Sequence, residues 1–310
     1  MSDHTKNAID TFLNLIDKER NVYEEAQLFH QTRKPISEYV NILQDPITGN
    51  EIGLKNQELI SDRNYSAKND IANFINEDVN SEEWQRLNVQ FLNYHKSLSV
   101  YTAVNCSPLI NYLSLKTEIG LRKNIKVLDV GGGTGHTHCS FFRFPEEIDY
   151  YLLDPNLRLL HDQFLRFYPK LSYLPMGHII ANAEQLPIKD NSFDLVLNIS
   201  AIDHLNDYKK FISESFRVLK TDGTILISSH LDIPPESNDK TKVKTKIFSF
   251  SFWERLSRFL YYRKHKVGDD DHTLHLENMD PIETALINNG FNITKKEIFK
   301  RYFWITASKK

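Results

Sequence analysis

The 310-residue sequence predicts an α/β fold. The expectation is a seven-stranded, mostly parallel sheet with helices on both faces, preceded by a small N-terminal α+β region. Three observations carry it. From residue 124 onward, short apolar runs alternate with helical stretches, the pattern of parallel strands joined by crossover helices. A glycine cluster, Gly131-Gly132-Gly133-Thr134-Gly135, follows the first of these runs. The chain then closes on two runs rich in aromatic and β-branched residues, FNITKKEIF and RYFWITASK, which read as a hairpin.

Taken in order, residues 1–33 read as a charged amphipathic helix with Phe12, Leu15, Ile16, Tyr23 and Leu28 on its apolar side, ended by Pro35. Residues 38–77 read as short strands and turns, with YVNIL, EIGL and ELIS extended and Asp45-Pro46 and Thr48-Gly49-Asn50 as turn signals. Residues 82–118 read as helical, restarting at Pro108. IKVLDV (125–130), YYLLD (150–154), HIIAN (178–182), FDLVLNIS (193–200) and TILISSH (224–230) are the strand runs. Helices are expected after the glycines, over 155–168, over 207–219 ending in a turn at Lys220 to Gly223, and over 281–290. This gives an N-terminal helix and ribbon-like region over 1–80, a helical lid or linker over 81–120, and a main domain over 121–310 interrupted at 231–271.

Composition narrows the function classes. Hydrophobic residues make up 40 % and aromatics 12 %, with 19 Phe and 14 Tyr, which provides for a sizeable core. A net charge of −3 gives no polycation for nucleic acid, so no nucleic-acid partner is expected. Cys106 and Cys139 are the two cysteines, too few for a disulfide framework or a four-cysteine zinc site. The polar start MSDHTKNAID and the absence of a long apolar run give a cytoplasmic expectation.

The strongest motif is VLDVGGGTGH, residues 127–136. Glycines at a strand end let the backbone turn sharply and approach a ligand, and the helix that follows offers free N–H groups. A dinucleotide fingerprint needs G-x-G-x-x-G. From Gly131 the third position is His136, and from Gly133 it is His138. Both registers fail, which disfavours an NAD-dependent oxidoreductase.

VLDVGGGTG resembles the first motif of class I S-adenosylmethionine (SAM)-dependent methyltransferases. YYLLDPN (150–156), ANAEQLPIKDNSFDLVLNISAIDHLND (181–207) and FRVLKTDGTILIS (216–228) are similar to later segments of that family, in the right order. The resemblance covers about residues 120–310. It is greatest to the broad group, methyltransferase type 11, that includes the ubiquinone and menaquinone methyltransferases. It implies a Rossmann-like domain, the cofactor S-adenosyl-L-methionine and methyl transfer to a small-molecule or glycan acceptor, with oxygen slightly favoured. A non-catalytic SAM-binding subunit is the alternative.

Residue roles follow from that resemblance and from chemistry. Asp129 orients the glycine loop and reaches toward the methionine amino group, and Gly131 and Gly133 give the cofactor room. Asp154, ahead of Pro155, has two oxygens for the ribose hydroxyls or caps the next helix. Asn182 stands where the family often has Asp and accepts from the adenine amino group, while Ala183 offers a backbone N–H. Asn198 to Ala201 line the sulfonium. Asp203 and His204 follow the fourth strand, where His204 serves as a general base or as a capping or packing histidine. His272 and His275, in HTLHL, border the acceptor pocket in the resemblance, and Tyr101 belongs to the covering helices.

No metal is expected. His136, His138 and Cys139 crowd a helix start without sharing a face, and Asp269, Asp270, Asp271, His272 and His275 read as an acidic turn, with a divalent site as the rival reading. Residues 41–75 resemble a small zinc-ribbon-like segment, but its turn, Asp45-Pro46-Ile47-Thr48-Gly49, has no cysteine. Residues 240–266 carry one acid, Glu254, among lysines and arginines, with Phe252, Trp253, Leu256, Phe259 and Leu260 on one helical face. That face suits a cap over the substrate side, or peripheral contact with an anionic membrane.

Overall fold

The structure is a computed structural model, and it describes residues 33–75, 124–133, 148–155, 176–232, 274–299 and 302–310. The expected helix over 1–33, the helices over 82–118 with Tyr101, and the helix after the glycine loop with His136, His138 and Cys139 lie outside these residues. So do the helix over 156–168 and most of the 231–271 interruption, including 240–266, Asp269 to Asp271 and His272.

Strands β1 (Gly53–Lys55), β2 (Glu58–Ile60), β3 (Asn64–Ser66) and β4 (Ile71–Asn73) precede β5 (Ile125–Val130), β6 (Ile148–Leu153), β7 (Gly177–Ile180), β8 (Phe193–Ile199) and β9 (Leu219–His230). β10 (Phe291–Phe299) and β11 (Tyr302–Lys309) close the chain. All belong to one sheet in the order β1-β2-β3-β4-β7-β6-β5-β8-β9-β11-β10. The run from β4 through β7, β6, β5, β8 and β9 is parallel. β11 pairs antiparallel with β9, and β10 with β11. The seven expected strands are therefore present, with the closing hairpin as their antiparallel edge. Four short strands extend the sheet at the other edge.

Parallel strands covered on both faces read as near-continuous apolar runs because both sets of side chains are buried. Successive side chains point to opposite faces, and the two cores sort accordingly. Leu128, Val130, Tyr151, Leu153 and Val196 lie in one. Val127, Tyr150, Leu152, Leu195 and Leu197 lie in the other. Helix α1 (Tyr208–Val218) adds Phe211, Ile212, Ser215 and Val218 at helical spacing, and the Asp207 carboxylate caps it by accepting from the Lys209 and Lys210 amides. Helix α2 (Asp280–Asn288) opens on Pro281, whose missing N–H costs nothing in a first turn, and buries Ile282, Ala285 and Leu286.

The N-terminal residues are built into this sheet. Ile71, Ala72 and Asn73 pair in parallel with His178, Ile179 and Ile180 of β7. Tyr39 is fully buried, packs edge-on against Tyr151 at 5.5 Å, and donates its hydroxyl to the His178 carbonyl at 3.2 Å. Tyr151 in turn meets Phe193 at 5.2 Å. Lys34 pairs with Asp149, which anchors the start of the region to β6. The turn at Asp45 is held by a carboxylate. Its Oδ1 accepts from the Ile47 and Thr48 amides and its Oδ2 from the Tyr65 hydroxyl at 3.1 Å.

EIGL is extended in part, with Glu51 bridging to Gln44 and Gly53 and Leu54 in β1. Two local expectations need correction. YVNIL is extended only at its end: Val40–Ile42 forms a 3-10 turn, and Leu43 then bridges antiparallel to Ile188. Lys220 to Gly223 do not separate α1 from the fifth strand. β9 begins at Leu219, opposite Phe193, and resumes with Thr224 opposite Leu195, so the intervening residues bulge out of the ladder around Asp222, whose φ is 61°.

Candidate functional site

Strand order reverses about β5, which has β6 on one side and β8 on the other. In open α/β sheets, ligands bind at the carboxyl ends of the strands beside such a switch point, because the loops diverge there. Asp129, Gly131, Gly133, Asp154 and Asn198 all fall at or near those ends.

The glycine loop is fixed by three hydrogen bonds, from the ends of β6 and β8. The Gly131 amide donates to the Leu153 carbonyl of β6 at 2.8 Å. The Gly133 amide donates to Asp154 Oδ2 at 2.9 Å. Asn198 of β8 donates its Nδ2 to the Val130 carbonyl at 3.0 Å. Gly131 has φ +72°, and a Cβ there would lie 2.5 Å from the Ala201 Cβ, so both backbone and space require glycine. Gly133 also has positive φ, 52°. Asp154 thus orders the loop in addition to any ribose contact, while its own amide donates to the Ile179 carbonyl of β7 at 3.1 Å.

Asp129 is fully buried. Its Oδ2 accepts from the Tyr150 hydroxyl at 2.5 Å, and its Oδ1 has no hydrogen-bond partner among the described residues. Burial pushes its pKa up to about 7. The Tyr150 hydrogen bond opposes that rise, and the Asp154 charge adds to it. Asn198 is also fully buried, and its Oδ1 likewise has no partner among the described residues. Two buried oxygen acceptors without donors fit a ligand that brings N–H groups and positive charge. The ammonium of a bound S-adenosylmethionine has that chemistry.

Asn182 and Ala183 sit on the next loop, Asn182 exposed and Ala183 buried. The Gln185 amide closes a turn onto the Asn182 carbonyl at 3.3 Å. Three groups the sequence did not single out hold this loop. Glu184 accepts from the Asn206 amide at 3.0 Å. Glu214 of α1 accepts from the Leu186 amide at 2.8 Å. Arg217 reaches the Ile188 and Leu186 carbonyls at 2.6 and 3.0 Å and pairs with Glu214 and Asp190. From the other side, the Pro46 carbonyl accepts from Gln185, and Ile42 and Gln44 bond to Lys189 and Pro187.

Beyond β8, Ser200 takes φ 53° and donates its amide to the Ser228 carbonyl. Ile202–His204 forms a 3-10 turn with Asp203 buried and His204 half-buried. The Leu274 amide donates to the Asp203 carbonyl at 3.1 Å, which brings His275 to the same edge as His204. His275 Nδ1 lies 2.7 Å from Asp232 Oδ2. Pro155, half-buried, continues from Asp154. Tyr150, His230 and Asp232 escape a sequence reading because only long-range pairing places Tyr150 beside Asp129 and the other two near His275.

Residues 128–227 match the family model described as a methyltransferase domain. The ubiquinone/menaquinone biosynthesis C-methyltransferase of Psychromonas ingrahamii is 34 % identical over 113 residues, covering 35 % of this chain and 43 % of that protein. The ubiquinone biosynthesis O-methyltransferase of Pelagibacter ubique is 27 % identical over 149 residues, covering 48 % of this chain and 60 % of that one. The chain spans about half the length of the curated relatives it matches. A crystal structure of a putative methyltransferase from Bacillus halodurans aligns over 64 % of this chain and 98 % of its own, at 18 % identity and a TM-score of 0.45. The stretch that matches the methyltransferase-domain model, residues 128–227, contains the Gly131 turn, Asp154 and Asn198 and begins one residue before Asp129.

Proposed function

We propose that the chain is a methyltransferase that moves a methyl group from S-adenosylmethionine to a small-molecule or glycan acceptor, with oxygen as the favoured acceptor atom. The observation that supports it most is the pair of buried oxygens beside the Gly131 turn, Asp129 Oδ1 and Asn198 Oδ1, that have no donor among the described residues. Bound there, the cofactor supplies a methyl group already activated on a positively charged sulfur.

The chain's own work is then holding, orienting and excluding water. Asp129 and Asn198 receive the amino end. Gly131 keeps the loop low enough for close approach. Asp154 holds the loop and offers carboxylate oxygen to the ribose, and Asn182 and Ala183 border the base. His204 and His275 provide imidazole at the acceptor edge. No helix among the described residues is long and apolar enough to cross a membrane, and we place the enzyme in the cytoplasm, with contact through 240–266 reserved for an acidic acceptor or an anionic surface.

A carbon acceptor is the second reading, favoured by the C-methyltransferases among the similar proteins. The test uses methyl-labelled cofactor and the small-molecule and glycan fractions of the native cells. Label released by hydriodic acid as methyl iodide marks oxygen, and label that resists marks carbon. Binding of S-adenosylhomocysteine without transfer to any fraction would leave a cofactor-binding subunit. Failure of that binding would end the methyltransferase reading.

A further inference from the structure

At the carboxyl end of β9, the chain runs His230-Leu231-Asp232. Residues 274–276 lie across this end and the turn after β8. The Leu274 amide donates to the Asp203 carbonyl at 3.1 Å, and the Leu276 carbonyl accepts from the Asp232 amide at 2.7 Å. His275 is therefore pinned through both of its chain neighbours. Leu274 is half-buried and packs against the core, and Leu276 is buried within it. His275 itself is exposed, its side chain at 72 %.

The ring is oriented as well as placed. Asp232 Oδ2 lies 2.7 Å from His275 Nδ1, and Asp232 Oδ1 lies 3.5 Å from His230 Nδ1. A carboxylate at Nδ1 selects the tautomer with the proton on that nitrogen and leaves the Nε2 lone pair for another group. The dyad borders an open cleft lined by Asp232, His275, Leu276, Glu277, Asn278 and Pro281. β9 is two strands from β5 in the sheet, so the dyad follows the same carboxyl edge of the parallel strands as the glycine loop.

We infer that His275, oriented by Asp232, is the general base for a hydroxyl acceptor, and that the cleft beside it holds that acceptor. The inference rests on the methyltransferase reading above. In the step, the hydroxyl oxygen's electron pair forms the new bond to the methyl carbon. The carbon–sulfur bond breaks with its pair kept by sulfur, and the hydroxyl proton goes to His275 Nε2 and then to water. His204 stands on the turn after β8, and of the two imidazoles beside Asp232, His275 is the nearer, at 2.7 Å against 3.5 Å for His230. Among the described residues, the titratable side chains His230, Asp232 and Glu277 share this end of the sheet.

The test compares the full-length wild type with His275→Ala, His275→Gln, Asp232→Asn and His204→Ala, using labelled cofactor and the acceptor fraction defined above. His275→Ala is expected to lose 100-fold or more in kcat, to bind S-adenosylhomocysteine within threefold of wild type, and to regain rate with added imidazole. Asp232→Asn should lower kcat tenfold or more with KM little changed. Independently of turnover, 15N-histidine spectra, with the His275 signals identified by their absence in His275→Gln, should show its proton on Nδ1. Transfer undiminished in His275→Ala, imidazole rescue of His204→Ala alone, a proton on Nε2, or label that resists hydriodic acid would each overturn the assignment while leaving the methyltransferase reading in place. A wild type that transfers no label would overturn that reading and the base role with it.

Discussion

Asp129 shows how one side chain is held against its own preference. A carboxylate in a fully buried position is costly in its charged form, and its pKa of about 7 expresses that cost. Because the folded-state value lies above the unfolded one, the stability this group contributes is complete below pH 4 and is lost as pH rises toward 7. Asp129→Asn should therefore stabilise the ligand-free protein at pH 8 by roughly 2–4 kcal/mol, taking about 1.4 kcal/mol per pH unit, with the gain shrinking toward pH 5. Thermal unfolding at the two pH values measures it. The same variant should weaken S-adenosylhomocysteine binding tenfold or more, because the ligand's ammonium then loses the Asp129 charge. Wild-type affinity should rise from pH 6 to pH 8 as Asp129 ionises, and the variant should lose that rise. A residue that destabilises the empty fold and strengthens the loaded one has the signature of a binding group.

At the scale of elements, the loop that carries Asn182 and Ala183 is clamped from two directions. Arg217 of α1 grips it through two carbonyls and two carboxylates, and Ile42, Gln44 and Pro46 brace its other side. The neighbouring carboxylates raise the Arg217 pKa against the opposing effect of its burial. Arg217→Ala leaves Glu214 and two carbonyls short of their donors. It should cost roughly 2–4 kcal/mol, and it should weaken S-adenosylhomocysteine binding severalfold through the loop. Urea denaturation and calorimetry on the same preparation separate the two effects. The strands and helices from residue 125 on are legible in the sequence because each presents a long apolar or periodic run. β4 is not, because three residues with one buried side chain, Ala72, carry no period to read. The start of β9 is hidden for another reason. Lys220 to Gly223 have turn chemistry, and only their pairing partners show that the turn is a bulge within a strand. The same limit applies to the site. The glycines, Asp129, Asp154 and Asn198 stand at strand ends that the sequence marks, whereas Tyr150 matters through strand register and Asp232 through its amide bond to Leu276.

Across the described molecule, residues 33–75 and the methyltransferase strands share one sheet and one core. Tyr39, Leu43, Leu59 and Tyr65 pack in the same cluster as Tyr151, Ile188 and Phe193. Such shared burial favours a single cooperative transition. Tyr39→Ala should remove roughly 3–5 kcal/mol, the range for truncating a large buried aromatic. The loss should appear equally in probes placed on β1–β4 and on β8–β11. Two separate transitions would mean that the N-terminal strands fold independently of the sheet they extend.

Titration calorimetry of the full chain with S-adenosylhomocysteine puts the cofactor site directly at risk. One molecule should bind per chain, and Asp154→Ala should lower the affinity at least tenfold, since that carboxylate orders Gly133 and faces the ligand's ribose in the proposed site. Absence of binding heat in the wild type, or an affinity that Asp154→Ala leaves unchanged, would contradict the placement of the methyl donor at the β5–β8 edge.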